Sequence, residues 1–295
     1  ITIEARDKDE AKMKYEEIVS RNFGVYTREE QEKIRNENIG IIGIGCVGGL
    51  TAEILARVGI GKLTLVDGDI YEEINLNRQP FASVETIGMK KVKAGKLKIR
   101  QINPFTNVKT IDTYFSEENA ENILLERGNP KFDIVIQCMD KMYSRVELHR
   151  ACELYNVPIV TMTGQPPYRA IVSTFLKDSP AYEDFFGLPS IGKHGKKLIE
   201  AVKACKIERA NQASKDSATE GWLESYLKGQ SGWGVTPERV YISGTLQAHE
   251  VLRYLTGRKV LAVAPKAIVI DLNNSPNIVS VRDPPNGKNW DYRMF

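Results

Sequence analysis

The stretch Ile39–Gly49, IGIIGIGCVGG, restricts the possible folds of this chain more than any other. An apolar run ends in Gly43-x-Gly45-x-x-Gly48. Glycines at this spacing let the backbone turn tightly from a strand into a helix. They also let phosphates approach the N–H groups at the helix start. The spacing alone suits NAD, FAD and ATP sites equally, and glycine-rich turns also arise with no ligand. Asp67 ends the next apolar run about twenty residues on, where a carboxylate meets ribose hydroxyls.

The pattern around this turn is alternating. Strand-like runs fall at Lys62–Asp67, Val108–Phe115, Asp133–Met139 and Pro158–Gly164. Helical patterns lie between them at Val47–Val58, Gly88–Ile102, Glu117–Arg127 and Lys141–Tyr155. Such alternation predicts parallel strands with helices on both sheet faces. After Gly164 the runs Arg169–Leu176, KAIVIDLN and NIVSVRD lack intervening helices and suit antiparallel strands. The expected fold is therefore α/β, a Rossmann-like doubly wound sheet with a parallel first half and added antiparallel strands. Residues 1–38 are polar and helical in pattern and read as an arm ahead of a domain spanning 39–295. A long polar insert near 177–237 is expected to cover the site or form a crossover. A last helix is expected over Ser243–Gly257, capped by Ser243 or Thr245 and stopped by Gly257.

Composition removes several classes. The 295 residues are 42% hydrophobic and 27% charged, with a net charge of +3. That excess is too small to argue for nucleic acid. No apolar stretch approaches the roughly 20 residues needed to span a bilayer. The amino end is charged and lacks the apolar core of a signal peptide; it opens at Ile1 rather than methionine, which leaves room for a preceding segment. Cys46, Cys138, Cys152 and Cys205 form no C-x-x-C pair, and His149, His194 and His249 are scattered. No structural zinc, no disulfide framework and a reducing, cytoplasmic location are expected.

The residues after Asp67 weigh ATP against NAD. Asp69 leads into a segment with Asn75, Asn77, Arg78 and Gln79, and Lys91 follows. A dinucleotide has its two phosphates cradled by the glycine turn and needs no further cations. A triphosphate does, because negative charge builds on the departing pyrophosphate in a dry site. Asp140 ends the fourth strand-like run in QCMDK. One carboxylate at that rim suits Mg²⁺, which takes only one or two from the protein and keeps several waters.

Taken together, G-x-G-x-x-G, LVDGD, NLNRQ, G-x-x-K, INP and a strand-ending C-x-D resemble the ThiF/MoeB/HesA family, bacterial relatives of ubiquitin-activating enzymes. The motifs run in family order from about Arg21 to Gly164, and the likeness returns in GTLQAHEVLRYLTG. The resemblance implies that Mg·ATP reacts with a carboxylate to give an acyl-adenylate and pyrophosphate. The carboxylate belongs to a small ubiquitin-like or sulfur-carrier protein, or to a ribosomally made peptide. By the same resemblance Gly43, Gly45 and Gly48 form the phosphate turn and Asp67 holds ribose. Asn75, Arg78 and Lys91 contact phosphates with Gln79 beside them, and Asp140 positions Mg²⁺. Arg21 loosely matches an arginine that reaches into the partner site of a homodimer. The chemistry agrees independently, since a carboxylate is already ionised at neutral pH and needs no general base. Three departures stand out: Cys46 in the turn, Gln137 and Lys141 around Asp140, and missing zinc cysteines. They keep open a tRNA-modifying dehydratase that activates a carboxylate on a modified base. An inactive scaffold subunit is the alternative from another class, and retention of Arg78, Lys91 and Asp140 argues against it. A NAD-dependent oxidoreductase is the remaining alternative.

Several features have plainer readings. Around KKVKAGKLKIR, Met89, Val92, Ile99 and Ile102 form a helical apolar stripe with Gly95 on the same side, and the lysines other than Lys91 are expected to face water. Leu198, Val202 and Cys205 fall on one helical stripe, which favours burial of Cys205 over a thioester-forming nucleophile. Cys138 and Cys152 read as core. Trp222 and Trp233 read as a local anchor beneath a long loop rather than a peptide site.

Overall fold

A strand that is apolar throughout must be covered on both faces, because successive side chains point to opposite sides. The computed structural model, which describes residues 13–165, 167–216, 219–273 and 276–294, meets this demand with a three-layer α/β arrangement. The strands are β1 (Asn38–Ile42), β2 (Lys62–Val66), β3 (Asn107–Ile111), β4 (Ile134–Gln137), β5 (Ile159–Gln165), β6 (Arg169–Phe175), β7 (Ala267–Asp271) and β8 (Val279–Arg282). The helices are α1 (Tyr15–Ile18), α2 (Arg28–Asn36), α3 (Cys46–Val58), α4 (Lys91–Ile102), α5 (Ala120–Leu124), α6 (Met142–Leu154), α7 (Tyr182–Phe186), α8 (Gly195–Asp216), α9 (Trp222–Leu227) and α10 (Pro237–Leu255).

The sheet order is β8-β7-β6-β5-β4-β1-β2-β3. Strands β3, β2, β1, β4 and β5 pair in parallel. Strands β6, β7 and β8 extend the sheet antiparallel from β5. The order reverses between β1 and β4, and ligands of doubly wound sheets bind at the carboxyl ends of strands on either side of such a switch. Alternation sorts the core into two layers. Ile39, Ile41, Leu63, Leu65, Ile134 and Ile136 pack under α3, α4 and α10. Ile42, Val66, Val135, Ile159 and Ile171 pack under α5 to α8 on the other face.

Four element readings change. The third strand stops at Ile111, short of Phe115, and the chain turns so that Tyr114 lies over Gly68, where a Cβ would meet its ring at 2.9 Å. The pattern over Glu117–Arg127 resolves into a short turn, α5 and a two-residue hairpin. The polar stretch after Lys177 is largely helical: α7 and α8 lie on the sheet, with Phe185, Phe186, Leu198, Val202 and Trp290 buried together. Arg150 ties this layer to α6 through two hydrogen bonds of 2.7 and 2.8 Å to Glu183. The last helix begins at Pro237, not Ser243. Thr236 is its N-cap residue and proline takes the first turn, where its missing N–H costs nothing. Ser243 is buried and its hydroxyl donates to the Arg239 carbonyl, so it caps nothing. Gly257 closes this helix at φ +73°, as expected.

The described part of the amino-terminal segment packs on its own domain. Tyr15, Val19 and Ile34 are buried. Tyr15 donates to the Gly59 carbonyl at 2.8 Å, and Asn22 and Gln31 both donate to the Val58 carbonyl. These contacts cap the carboxyl end of α3. No helix of the described residues is long and apolar enough to cross a membrane.

Candidate active site

The phosphate turn is held from beneath. Gly43 has φ +98°, and a Cβ there would lie 2.8 Å from the Cys138 carbonyl, so β1 and β4 can approach only with glycine at this point. At Gly48 a Cβ would stand 1.9 Å from the Gly43 carbonyl oxygen. Gly45 differs. It is the N-cap of α3, and a Cβ there would meet only the Gln79 amide, at 3.6 Å. Gly95 sets α4 against the back of the turn, since a Cβ would press on Leu65 and Ile44 at 3.1 and 3.3 Å.

Asp67 sits at the end of β2. Its carboxylate accepts the Ile44 N–H at 2.7 Å and the Asp69 N–H at 2.9 Å. Burial raises its pKa despite those bonds and the nearby Lys91. Tyr71 donates to the Ile44 carbonyl at 3.0 Å, so this one turn residue is pinned on both backbone groups. Asn75 and Gln79 are both buried. The Asn75 side-chain oxygen accepts the Glu72 N–H at 3.1 Å and shapes the segment. Gln79 faces Gly45, and its Oε1 has no partner among the described residues. Arg78 donates to the Ile74 carbonyl and the Asn77 side chain, both at 2.7 Å. Asn77 in turn donates to the Val235 carbonyl, which ties this segment to the loop ahead of α10.

A second group of charges lies at the same rim. Lys91 is buried in the first turn of α4, and its ammonium pairs with Asp69 at 2.9 Å. Tyr114 donates to the other Asp69 oxygen at 2.6 Å, and the Lys141 ammonium lies 4.8 Å from the Tyr114 ring centre. Burial acts to raise the Asp69 pKa, but the Tyr114 and Lys91 hydrogen bonds and the charges of Lys91 and Lys141 prevail and lower it. The Asp69 hydrogen bond pushes Tyr114 up to about 12, with Asp67 and Asp140 adding smaller effects. Asp67, Asp69, Lys91, Tyr114, Asp140 and Lys141 thus share one electrostatic neighbourhood. Asp140 is exposed and forms no ion pair or hydrogen bond among the described residues. Its oxygens are open to a cation, which fits the single-carboxylate Mg²⁺ site the sequence suggests. Among the described residues no group of three or more His, Cys, Asp or Glu side chains is placed to hold a metal.

Behind the turn lies a buried polar network that the sequence did not suggest. Gln247 of α10 donates to the carbonyls of Gln137 at 3.1 Å and Val160 at 3.2 Å. Its oxygen accepts from Thr51 at 3.3 Å and from the Cys138 thiol at 3.2 Å. Gln137 is also bonded to Thr161 and donates to the Met139 carbonyl. These bonds lock α3, β4, β5 and α10 together just below the rim.

Two candidates lie elsewhere. Arg21 is exposed in the turn after α1, next to the Asn22 that binds the carboxyl end of α3. That helix has 13 residues. Its ends therefore lie roughly 20 Å apart, and Arg21 sits at the end away from its own phosphate turn. Cys205 has no exposed surface and packs with Leu198 and Val202. Its thiol approaches the Ala201 carbonyl at 3.5 Å, and burial raises its pKa. Trp222 and Trp233 pack edge-to-face at 5.9 Å with Tyr226 between α9 and the loop that follows.

Comparison with known proteins agrees with this fold. A 35% identical relative over 197 residues, 60% of this chain and 76% of the relative, is the molybdopterin-synthase adenylyltransferase of Haemophilus influenzae. A 33% identical relative over 145 residues is the tRNA threonylcarbamoyladenosine dehydratase of Bacillus subtilis; the match covers 49% of this chain and 56% of that protein. Among solved structures, E. coli MccB with MccA-N7isoASN superposes with a TM-score of 0.69 at 19% identity, covering 90% of this chain and 71% of MccB, a likeness of fold. The ThiF family pattern matches residues 19–289, nearly the whole length, and the chain belongs to the ThiF family.

Proposed function

We propose that the protein adenylates a carboxylate on a small protein or peptide at the expense of ATP. The observation that carries this reading is the joining, across the β1/β4 switch point, of a phosphate turn with a rim of cations and one free carboxylate. In this reading the turn N–H groups of α3 hold phosphate oxygens. Asp67 takes the ribose hydroxyls. Arg78 and Lys91 offset charge as the bond between the α-phosphorus and the bridging oxygen breaks. Asp140 would hold Mg²⁺, which screens the triphosphate and steadies the leaving pyrophosphate. One oxygen of the substrate carboxylate forms the new bond to the α-phosphorus, and pyrophosphate departs with the bridging oxygen. No proton moves, so the step needs no general base.

In the free protein Lys91 is held by Asp69. Triphosphate must draw that ammonium away, and Tyr114 and Lys141 remain to share the Asp69 charge. Arg21, remote from its own turn, is suited to act on a partner's site in a homodimer. Activation of a carboxylate on a modified tRNA base is a second reading, favoured by the 33% identical dehydratase. Exchange of radiolabelled pyrophosphate into ATP tests the proposal. Exchange that depends on a protein or peptide carboxylate is expected. Exchange supported only by tRNA would select the second reading, and ATP binding without exchange for any carboxylate would reject both.

A further inference from the structure

Three arginines from three helices meet at the carboxyl ends of β4 and β5. Arg145 of α6, Arg209 of α8 and Arg239 of α10 are only 8%, 7% and 4% exposed. Arg145 donates to the Met139 carbonyl at 2.7 Å and to Thr163 at 3.2 Å. Arg209 donates to the Gly164 carbonyl at 2.5 Å, with its guanidinium 5.6 Å from the Trp233 ring centre. The Arg239 guanidinium lies directly over Gly164: a Cβ there would stand 2.2 Å from its Nη1, so any larger residue would have to displace the guanidinium.

This gathering is electrostatically unfavourable by itself. Arg145 and Arg239 have no carboxylate within ion-pair range among the described residues, and Arg239 Nε and Nη1 are buried without hydrogen-bond partners there. Arg239 also occupies the first turn of α10, where the helix dipole is already positive and disfavours a cation. Burial first, and then the charge of Arg145, pushes Arg209 down to about 9; burial and the same charge bring Arg239 to about 10. An anion would relieve all of these costs together.

The cluster borders the phosphate turn, since Arg145 binds the Met139 carbonyl and the Cys138–Met139 backbone packs against Gly43, where a Cβ would lie 2.8 Å from the Cys138 carbonyl. It stands on the β4/β5 side, whereas Arg78 and Lys91 approach from the segments after β2. We propose that Arg145, Arg209 and Arg239 seat the carboxylate of an extended peptide substrate beside the phosphate turn. The inference rests on the adenylation reading above and assigns the acyl side of that site. Arginine forks match a carboxylate in two-point geometry, so one oxygen can stay on a guanidinium while the other faces phosphorus. A peptide suits the position better than RNA. RNA phosphates call for exposed cations, and these three are buried, with the Arg209 guanidinium beside the Trp233 ring.

The test uses the full chain with Mg·AMPCPP and two probes: acetyl-Gly-Gly with a free carboxylate, and its carboxamide. Tryptophan fluorescence reports binding through Trp233. The expected result is a saturable response to the carboxylate at concentrations up to roughly 20 mM and none to the amide. Arg239→Gln should weaken that response at least tenfold while AMPCPP affinity stays unchanged. Its melting temperature should hold or rise, because a repelling charge leaves the interior; a purely structural arginine would lower it. Arg145→Gln provides the second variant should the first misfold. Equal binding of the amide, no saturation, or an equal loss of AMPCPP affinity in Arg239→Gln would overturn the proposal. So would binding of a carboxylate-bearing RNA stem-loop where the peptide fails. Carboxylate binding without pyrophosphate exchange would instead reject adenylation and leave the carboxylate seat standing.

Discussion

Replacing Gly48 with alanine tests whether the phosphate turn works as a rigid backbone cradle. The new Cβ would lie 1.9 Å from the Gly43 carbonyl oxygen and 3.0 Å from the Cys138 Cβ. A carbon–oxygen contact tolerates about 3.3 Å, so α3 must move away from the end of β1 by roughly 1.4 Å. No flexible side chain can absorb this, because the first neighbour is backbone, held from below by the Gly43–Cys138 contact. Overpacking of this kind costs about 1–3 kcal/mol. The displaced N–H groups are those proposed to meet phosphate, and a misplacement near 1 Å costs on the order of 100-fold in rate. Gly45→Ala is the control. Its Cβ meets the Gln79 amide at 3.6 Å, an ordinary contact, so the stability loss should stay below about 1 kcal/mol, the usual cost of alanine at an N-cap. Urea denaturation and calorimetric titration with Mg·AMPCPP give the two numbers for each variant. A Gly48→Ala protein with wild-type stability and nucleotide affinity would refute the argument, as would equal destabilisation by both substitutions.

Arg78→Ala or Lys91→Ala should slow pyrophosphate exchange by roughly 10²- to 10³-fold with little change in melting temperature; undiminished exchange in both would remove them from the mechanism. Stability should depend on pH through Glu37, which is raised from 4.5 to about 7 by burial and then by the hydrogen bond and charge of Asp133. The protonated form is the one the fold favours, so this contribution is complete below about 4.5 and lost as pH rises through about 7. The melting temperature should fall as pH rises from about 4.5 to about 7 on this account, and Glu37→Gln should flatten that fall; an unaltered slope would disprove the assignment. Mixing Arg21→Ala chains with Asp140→Ala chains, each inactive alone, should restore exchange if Arg21 acts across a dimer, and hybrids as inactive as their parents would exclude that role. Cys205→Ser should leave exchange intact, whereas loss of acyl transfer after normal adenylation would make Cys205 a nucleophile.

The sequence alone determined the central layer and the glycine turn at the end of β1. Strands β1, β2, β4 and β5 and helices α3, α4 and α6 are legible because hydropathy period and glycine spacing are local properties. The same holds for Gly43, Gly48 and Asp67, whose places follow from one strand–turn–helix unit and the strand beside it. The start of α10 was also written locally, in the Thr236-Pro237 pair, and was obscured by the more familiar run that begins at Ser243. Tertiary structure decided the rest. Lys91 and Arg78 read as free cations in the sequence, yet Asp69 holds one and the Asn77 segment folds around the other. Gln247 is one more polar residue on a helix until β4, β5 and α3 converge on it. Arg145, Arg209 and Arg239 lie in three separate helices, and nothing in the sequence sets them apart from other charged helix residues. Only the packing of three helices over the end of β5 buries them together at Gly164. Burial and like-charge proximity are relations between distant segments, and no local pattern along the chain carries them.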